Sequence, residues 1–290
     1  MTELYADVNG LKICYEERGS GDPVILIHGF GVKKEEWIAQ FVPLSEHFRV
    51  IRLDNRGAGK SDRPNEPYLM EMFADDVVGL MDYLEIDKAH VIGWSLGGMI
   101  AEHVVIRHSD RVKKLILINT MARWPPDKSG LELYKHSQLD RAKARLKNPE
   151  ETYFNSAKMG FTRQFLKEMK ADPNKKFYDL WSAEDMIKQS QMNPSTPQDI
   201  INQVNALGHM DVLDDLHKIK NKTLIMCAEK DRQMPFSVNQ LIHENIPNSE
   251  FIMIKGAAHN SPQEKAPEIN KIIIDFLKKK IMKNDDEFIR

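Results

Sequence analysis

The stretch His90-Val91-Ile92-Gly93-Trp94-Ser95-Leu96-Gly97-Gly98-Met99-Ile100 decides how this chain is read. A β-branched apolar run enters G-x-S-x-G, and an apolar helical pattern leaves it, the setting in which a serine is held on a sharp strand-to-helix turn with its hydroxyl exposed. Gly93 and Gly97 are needed because such a turn brings backbone close to the serine, where a Cβ would collide. Chance gives only about 0.04 such matches in a chain of this composition, so an incidental glycine-rich turn is the weaker reading. The serine opens a helix, where backbone N–H groups and the helix dipole favour developing negative charge.

Working outward, nearly continuous apolar runs recur at Val24–Ile27, Val50–Leu53, Leu115–Ile118, Thr223–Met226 and Phe251–Ile254. Strands buried on both faces have this composition, and their alternation with helical patterns predicts an α/β architecture with a parallel sheet. The start alternates instead, with Leu11, Ile13 and Tyr15 against Lys12, Cys14 and Glu16. Turns at Asn9-Gly10 and Gly19-Ser20-Gly21 make it an antiparallel hairpin at the sheet edge.

From Met121 to about Ala206 the β-branched runs vanish, and prolines at 125, 126, 149, 173, 194 and 197 punctuate a Lys-, Glu-, Met- and aromatic-rich stretch. This predicts a separate layer of about four helices over 122–206, inserted into a core of 1–121 and 207–282. Near the end a short turn at Ser261 precedes a helix expected from Pro267 to about Lys280, and 283–290 reads as a frayed tail. Trp124, Phe154, Phe161, Phe165, Trp181 and Met186 form the core of the helical layer in this reading, with a minority lining a pocket.

The chain has 290 residues, 41 Lys plus Arg against 43 Asp plus Glu, and no long basic block, which argues against a nucleic-acid binder. No run approaches the length of a membrane span and the start resembles no signal peptide, so a cytoplasmic protein without membrane partners is expected. Cys14 and Cys227 lie in apolar runs without ligand spacing and read as buried thiols, so no metal is expected.

A serine nucleophile needs a base, and the base an orienting carboxylate. His259 follows the last predicted strand and Asp231 the strand before it. Loops at the carboxyl ends of parallel strands converge on one edge, so Ser95, Asp231 and His259 can meet although distant in sequence. Ile27-His28-Gly29-Phe30-Gly31 runs from a strand into a glycine turn that could aim the Phe30 N–H at the same point as the Leu96 N–H, forming an oxyanion hole. Trp94 and Trp124 are candidate substrate contacts. Nucleophile, base and oxyanion donors all come from protein, so no cofactor is required.

Together with Trp37, Asp54-Asn55-Arg56-Gly57-Ala58-Gly59-Lys60-Ser61-Asp62, Glu264 and Pro267, these pieces make the chain resemble the α/β-hydrolase fold family, in its capped serine esterase, lactonase and carbon–carbon hydrolase branch. The resemblance spans about residues 5–280. It implies a mostly parallel eight-stranded sheet flanked by helices, a helical cap after the sixth strand, and roles of nucleophile for Ser95, orienter for Asp231 and base for His259. Ala258 and Ala58 depart from the usual glycine and histidine. Asn119-Thr120 follows the sixth strand, where some relatives carry the acid, which leaves Asp231. Ser95 speaks against the epoxide- and halide-displacing subfamilies, which place aspartate there. Arg56 and Asp62 read as loop-fixing rather than phosphate-binding.

The expected activity is hydrolysis of a small-molecule ester of small to medium acyl chain, or of a lactone, through an acyl-enzyme. One alternative is carbon–carbon hydrolysis of a diketo acid by the same triad, with Arg123 or Arg163 receiving its carboxylate. Another is a ligand receptor that keeps a hydrolase pocket.

Overall fold

Eight strands form one sheet in the order β1-β2-β4-β3-β5-β6-β7-β8. The structure, a computed structural model, describes residues 2–279; expectations for 280–290 lie outside them. The strands are β1 Leu4–Val8, β2 Leu11–Arg18, β3 Pro23–Ile27, β4 Arg49–Leu53, β5 Ala89–Trp94, β6 Val112–Ile118, β7 Lys222–Ala228 and β8 Ser249–Ile254. β1 and β2 pair antiparallel, with Val8 opposite Leu11, across a turn in which Asn9 and Gly10 both take positive φ. β2 also runs antiparallel to β4, and every later pairing is parallel. This is the edge hairpin and parallel core expected from the alternating and continuous runs.

The helices are α1 Ile38–Leu44, α2 Met70–Tyr83, α3 Leu96–Arg107, α4 Lys128–Lys147, α5 Pro149–Gly160, α6 Arg163–Ala171, α7 Ala183–Gln191, α8 Pro197–Gly208, α9 Phe236–Asn245, α10 Ser261–Glu264 and α11 Ala266–Lys278. The sheet has an apolar core on each face. Ile25, Ile27 and Val91 pack with α2 and α3 residues such as Phe73, Met99 and Ile100. Val24, Leu26 and Ile92 point the other way, onto Phe41 of α1 and Ile269, Ile273 and Phe276 of α11. Adjacent strand residues serving opposite cores explain why these runs are apolar throughout.

Five helices, α4 to α8, lie between β6 and β7, one more than expected. The additional break falls at Phe161-Thr162, which contains no proline. Thr162 caps α6, its hydroxyl accepting from the Phe165 N–H, while the Thr162 N–H points at the Glu264 carboxylate. A capping threonine and a tertiary contact thus end α5 without a helix breaker. Phe154, Phe161, Trp181 and Met186 share a third apolar cluster, with Phe165 stacked on Phe161 at 5.3 Å. Trp124 departs from the expected grouping: it packs against the sheet-side core and meets Tyr134 of α4 at 5.4 Å. Among the described residues no helix is long and apolar enough to cross a membrane.

Candidate active site

Ser95 sits between β5 and α3 with φ 57° and ψ −123°, a conformation that non-glycine residues rarely adopt. Its N–H donates to the Ile118 carbonyl at 3.0 Å, and its own carbonyl accepts from the Gly98 N–H and the Thr120 hydroxyl, both at 2.8 Å. The flanking glycines make this turn possible. A Cβ on Gly93 would lie 2.1 Å from the Gly97 carbonyl oxygen, and one on Gly97 2.0 Å from the Ile27 carbonyl oxygen. The start of α3 therefore presses directly on the end of β3.

That contact places the loop after β3 against the serine: a Cβ on Gly29 would be 3.3 Å from the Ser95 Cβ. His28 fixes this loop from behind. Its Nε2 accepts from the Asn55 N–H at 3.0 Å, so the ring proton resides on Nδ1, which donates to the Gly29 carbonyl at 2.8 Å. Burial lowers the His28 pKa, favouring the neutral ring that this pattern requires. The Asn55 segment is held in turn by Asp54, which accepts from the Lys34 N–H at 2.9 Å and from Lys34 Nζ and the Lys60 N–H at 3.0 Å. Arg56 pairs with Asp76 through two hydrogen bonds, and Asp62 accepts from the Lys12 N–H. Both side chains are occupied by intramolecular bonds in this loop. The Phe30 and Leu96 N–H groups belong to these two abutting segments and, among the described residues, form no hydrogen bond to backbone outside the helix.

Asp231 and His259 meet as their strand-end positions predicted. His259 Nδ1 lies 2.7 Å from Asp231 Oδ2, both residues being buried. The other carboxylate oxygen, Oδ1, accepts from the Gln233 and Met234 N–H groups at 2.8 and 2.9 Å, which fixes its rotamer. The His259 carbonyl accepts from Trp94 Nε1 at 3.0 Å and Asn119 Nδ2 at 2.7 Å, and the two rings of Trp94 and His259 stand 5.6 Å apart. The histidine is thus anchored to the residue that immediately precedes Ser95. Among the described residues the Ser95 hydroxyl makes no hydrogen bond to the imidazole. Such contacts commonly close only when substrate is bound.

Two residues named in the sequence without a role, Asn119 and Glu264, are anchors of the site. Asn119 looked significant only as the absence of an acid. Its carboxamide accepts from the Ala228 N–H at 2.8 Å and donates to the His259 carbonyl and the Ser261 hydroxyl, joining three loops at the sheet edge. Its positive φ of 48° marks a sharp turn after β6. Glu264 accepts from the Ala258 N–H at 3.0 Å and so braces the loop ahead of the histidine. Trp94, a candidate substrate contact, is 5% exposed and packs with Trp37 and the α11 side of the sheet.

Arg123 and Arg163, considered as carboxylate receivers, are placed elsewhere: Arg123 pairs with Asp211 and Asp214, and Arg163 is exposed at the start of α6. Two further arginines, Arg141 and Arg145, lie on α4. Arg141 Nη2 lies 3.3 Å from where a Cβ of Gly31 would stand. Burial depresses the pKa of both guanidinium groups, that of Arg145 to about 10. As to metals, Glu3, Glu16 and Glu35 bring carboxylate oxygens within 4.8 Å of one another. That cluster already holds cations of the protein, with Lys34 Nζ 3.1 Å from Glu35 and the Arg52 guanidinium on Glu16.

A serine on a tight strand-to-helix turn after β5, in a sheet whose last two strand ends carry a paired Asp231 and His259, is the arrangement of an α/β hydrolase. The chain belongs to the α/β hydrolase fold family, which matches residues 22–266. It is 29% identical over 265 residues to the AB hydrolase superfamily protein YisY of Bacillus subtilis, covering 90% of this chain and 93% of that one. The enol-lactonase from Burkholderia xenovorans LB400 superposes with a TM-score of 0.80 at 26% identity, over 95% of this chain and 100% of its own. A bromoperoxidase from Bacillus anthracis gives 0.79 at 26% identity, over 96% and 100%.

Proposed function

We propose that the protein is a serine hydrolase of carboxylic esters or lactones, with Ser95 as nucleophile, His259 as base and Asp231 as orienter. The observation that carries this reading is the 2.7 Å contact between Asp231 Oδ2 and His259 Nδ1, on a histidine whose carbonyl is tied to the residue before Ser95. The carboxylate selects the tautomer with the proton on Nδ1 and leaves Nε2 free to take the serine proton. Ser95 then attacks the carbonyl, and the Phe30 and Leu96 N–H groups receive the oxyanion. Each such donor lowers the barrier by about 3–4 kcal/mol in enzymes where one has been removed. Water repeats the attack on the acyl-enzyme, with His259 again as base. Trp94 acts here as a support for His259 rather than as a substrate contact. Trp124 and Tyr134, beside Phe30, stand on the substrate side.

The helical segment 122–206 acts as a cap over a core of 1–121 and 207–279. Its bond from the Asn260 N–H to the Gly160 carbonyl, 2.7 Å, couples it to the histidine loop. The similarity to an enol-lactonase supports the ester and lactone class. Labelling with a fluorophosphonate and hydrolysis of p-nitrophenyl esters test the reading. Wild-type protein is expected to label at Ser95 and turn over; Ser95→Ala is expected to do neither while melting at a similar temperature. Equal ester turnover in the two proteins would end it.

A further inference from the structure

Arg141 and Arg145 differ from every other described arginine. Among the described residues neither has an ion-pair or side-chain hydrogen-bond partner, yet both are partly buried. The other described arginines without a carboxylate partner, Arg18, Arg163 and Arg232, are exposed to solvent. Leaving a desolvated guanidinium uncompensated is costly, and the usual remedy is a carboxylate in contact. Here the described residues supply none in contact. The acid that acts on Arg145 through space is Glu36, whose carboxylate is instead taken by Gln263 Nε2 at 2.6 Å and whose pKa burial raises.

Their position is as informative as their lack of partners. Tyr134, Gln138, Arg141 and Arg145 recur at helical spacing along one face of α4. Tyr134 stands edge-on to Phe30 at 5.4 Å, and Gln138 has a buried Oε1 with no partner. Leu133 and Leu146 on the flanks and the pair Lys143–Asp140 on the far side are exposed. The polar face therefore lies over the loop that carries the candidate oxyanion donor Phe30, and Arg141 reaches its neighbour Gly31.

We propose that Arg141 and Arg145 form a receiving site for a carboxylate on the substrate, so that the enzyme prefers esters or lactones bearing a free acid a few bonds from the reacting carbonyl. Two guanidinium forks match the planar geometry of a carboxylate and exchange their missing counter-charge for the ligand's. This rests on the proposed role of Ser95, because it places the acid relative to the carbonyl that Ser95 attacks.

The test compares the p-nitrophenyl monoester of adipic acid with p-nitrophenyl hexanoate, in wild type and in Arg141→Gln/Arg145→Gln. Wild type is expected to favour the acid-bearing ester at least tenfold in kcat/KM, and the double variant to lose at least tenfold of that ratio, mainly through KM. A ratio near one in wild type, or an equal fall on both esters, overturns the proposal. Binding of adipate itself, by calorimetry, separates this from failure of the hydrolase reading. If no ester is cleaved, adipate is still expected to bind wild type at least tenfold more tightly than the folded double variant, and equal binding rejects the site. Glu36→Gln is expected to change adipate affinity less than about tenfold; a larger gain would show that Glu36 already neutralises the two arginines and would overturn the proposal.

Discussion

Asn119 donates from its carboxamide to the carbonyl of His259 at 2.7 Å, so the end of β6 sets the height of the proposed base. Because the same carboxamide also accepts from the Ala228 N–H, Asn119→Ala removes support from both the acid and the base loops. Leaving buried polar groups unpaired costs about 1–3 kcal/mol each, so a clear fall in melting temperature is expected. A misplaced base also loses rate, and about a tenfold drop, carried by kcat more than KM, is the expected outcome. Steady-state kinetics below the variant's melting point check it, and unaltered kcat would remove Asn119 from the positioning machinery.

Asp231→Asn keeps the shape of the acid and removes its charge. The amide can offer an N–H to His259 Nδ1, which favours the tautomer with its proton on Nε2, unable to accept from serine. Ester turnover is expected to fall about 10³–10⁴-fold. Activity within tenfold of wild type would mean that another carboxylate orients the histidine.

Gly97→Ala tests the packing of α3 on β3. The new methyl would lie 2.0 Å from the Ile27 carbonyl oxygen and 2.9 Å from that of His28, both backbone atoms with little room to move. Overpacking of this kind is expected to cost about 3 kcal/mol or more and to separate Phe30 from Leu96. Urea unfolding measures the first effect, and a stability within 1 kcal/mol of wild type, on the order of ordinary surface changes, would contradict this geometry.

His90, on β5, gives a stability effect with a defined sign. Burial lowers its pKa from 6.5 to about 4, against an opposing pull from Asp22. The unfolded chain therefore takes up the proton first as pH falls, so the contribution is intact above about pH 6.5 and is lost on the way down through pH 4. A shift of this size corresponds to about 3 kcal/mol. Urea unfolding from pH 7 to about pH 3.5 is expected to show His90→Gln losing less stability than wild type by an amount of that order. Parallel curves would refute it.

The continuous apolar runs disclosed their strands because both faces of β3 and β5 are buried and every position must be apolar. Ser95, Asp231 and His259 were legible for a related reason: each follows a strand whose end the pattern marks, and parallel strands bring such ends to one edge. The fifth helix of the segment after β6 was not legible, since the break at Thr162 depends on a contact with Glu264, 102 residues away. Trp94, a candidate substrate contact in the sequence, serves the histidine loop instead. Its orientation, with Nε1 on the His259 carbonyl, depends on the twist and packing of the sheet.

What the sequence alone determined is the sheet, the order of the candidate triad and the glycine turn that presents Ser95, because local patterning and strand succession suffice for these. Only tertiary structure decided how the arginines of α4 are placed. The polar residues of α4 occur all around the helix, so periodicity favours no face, and Arg141 and Arg145 acquire meaning only where packing sets Arg141 against Gly31 and leaves both without a carboxylate in contact among the described residues.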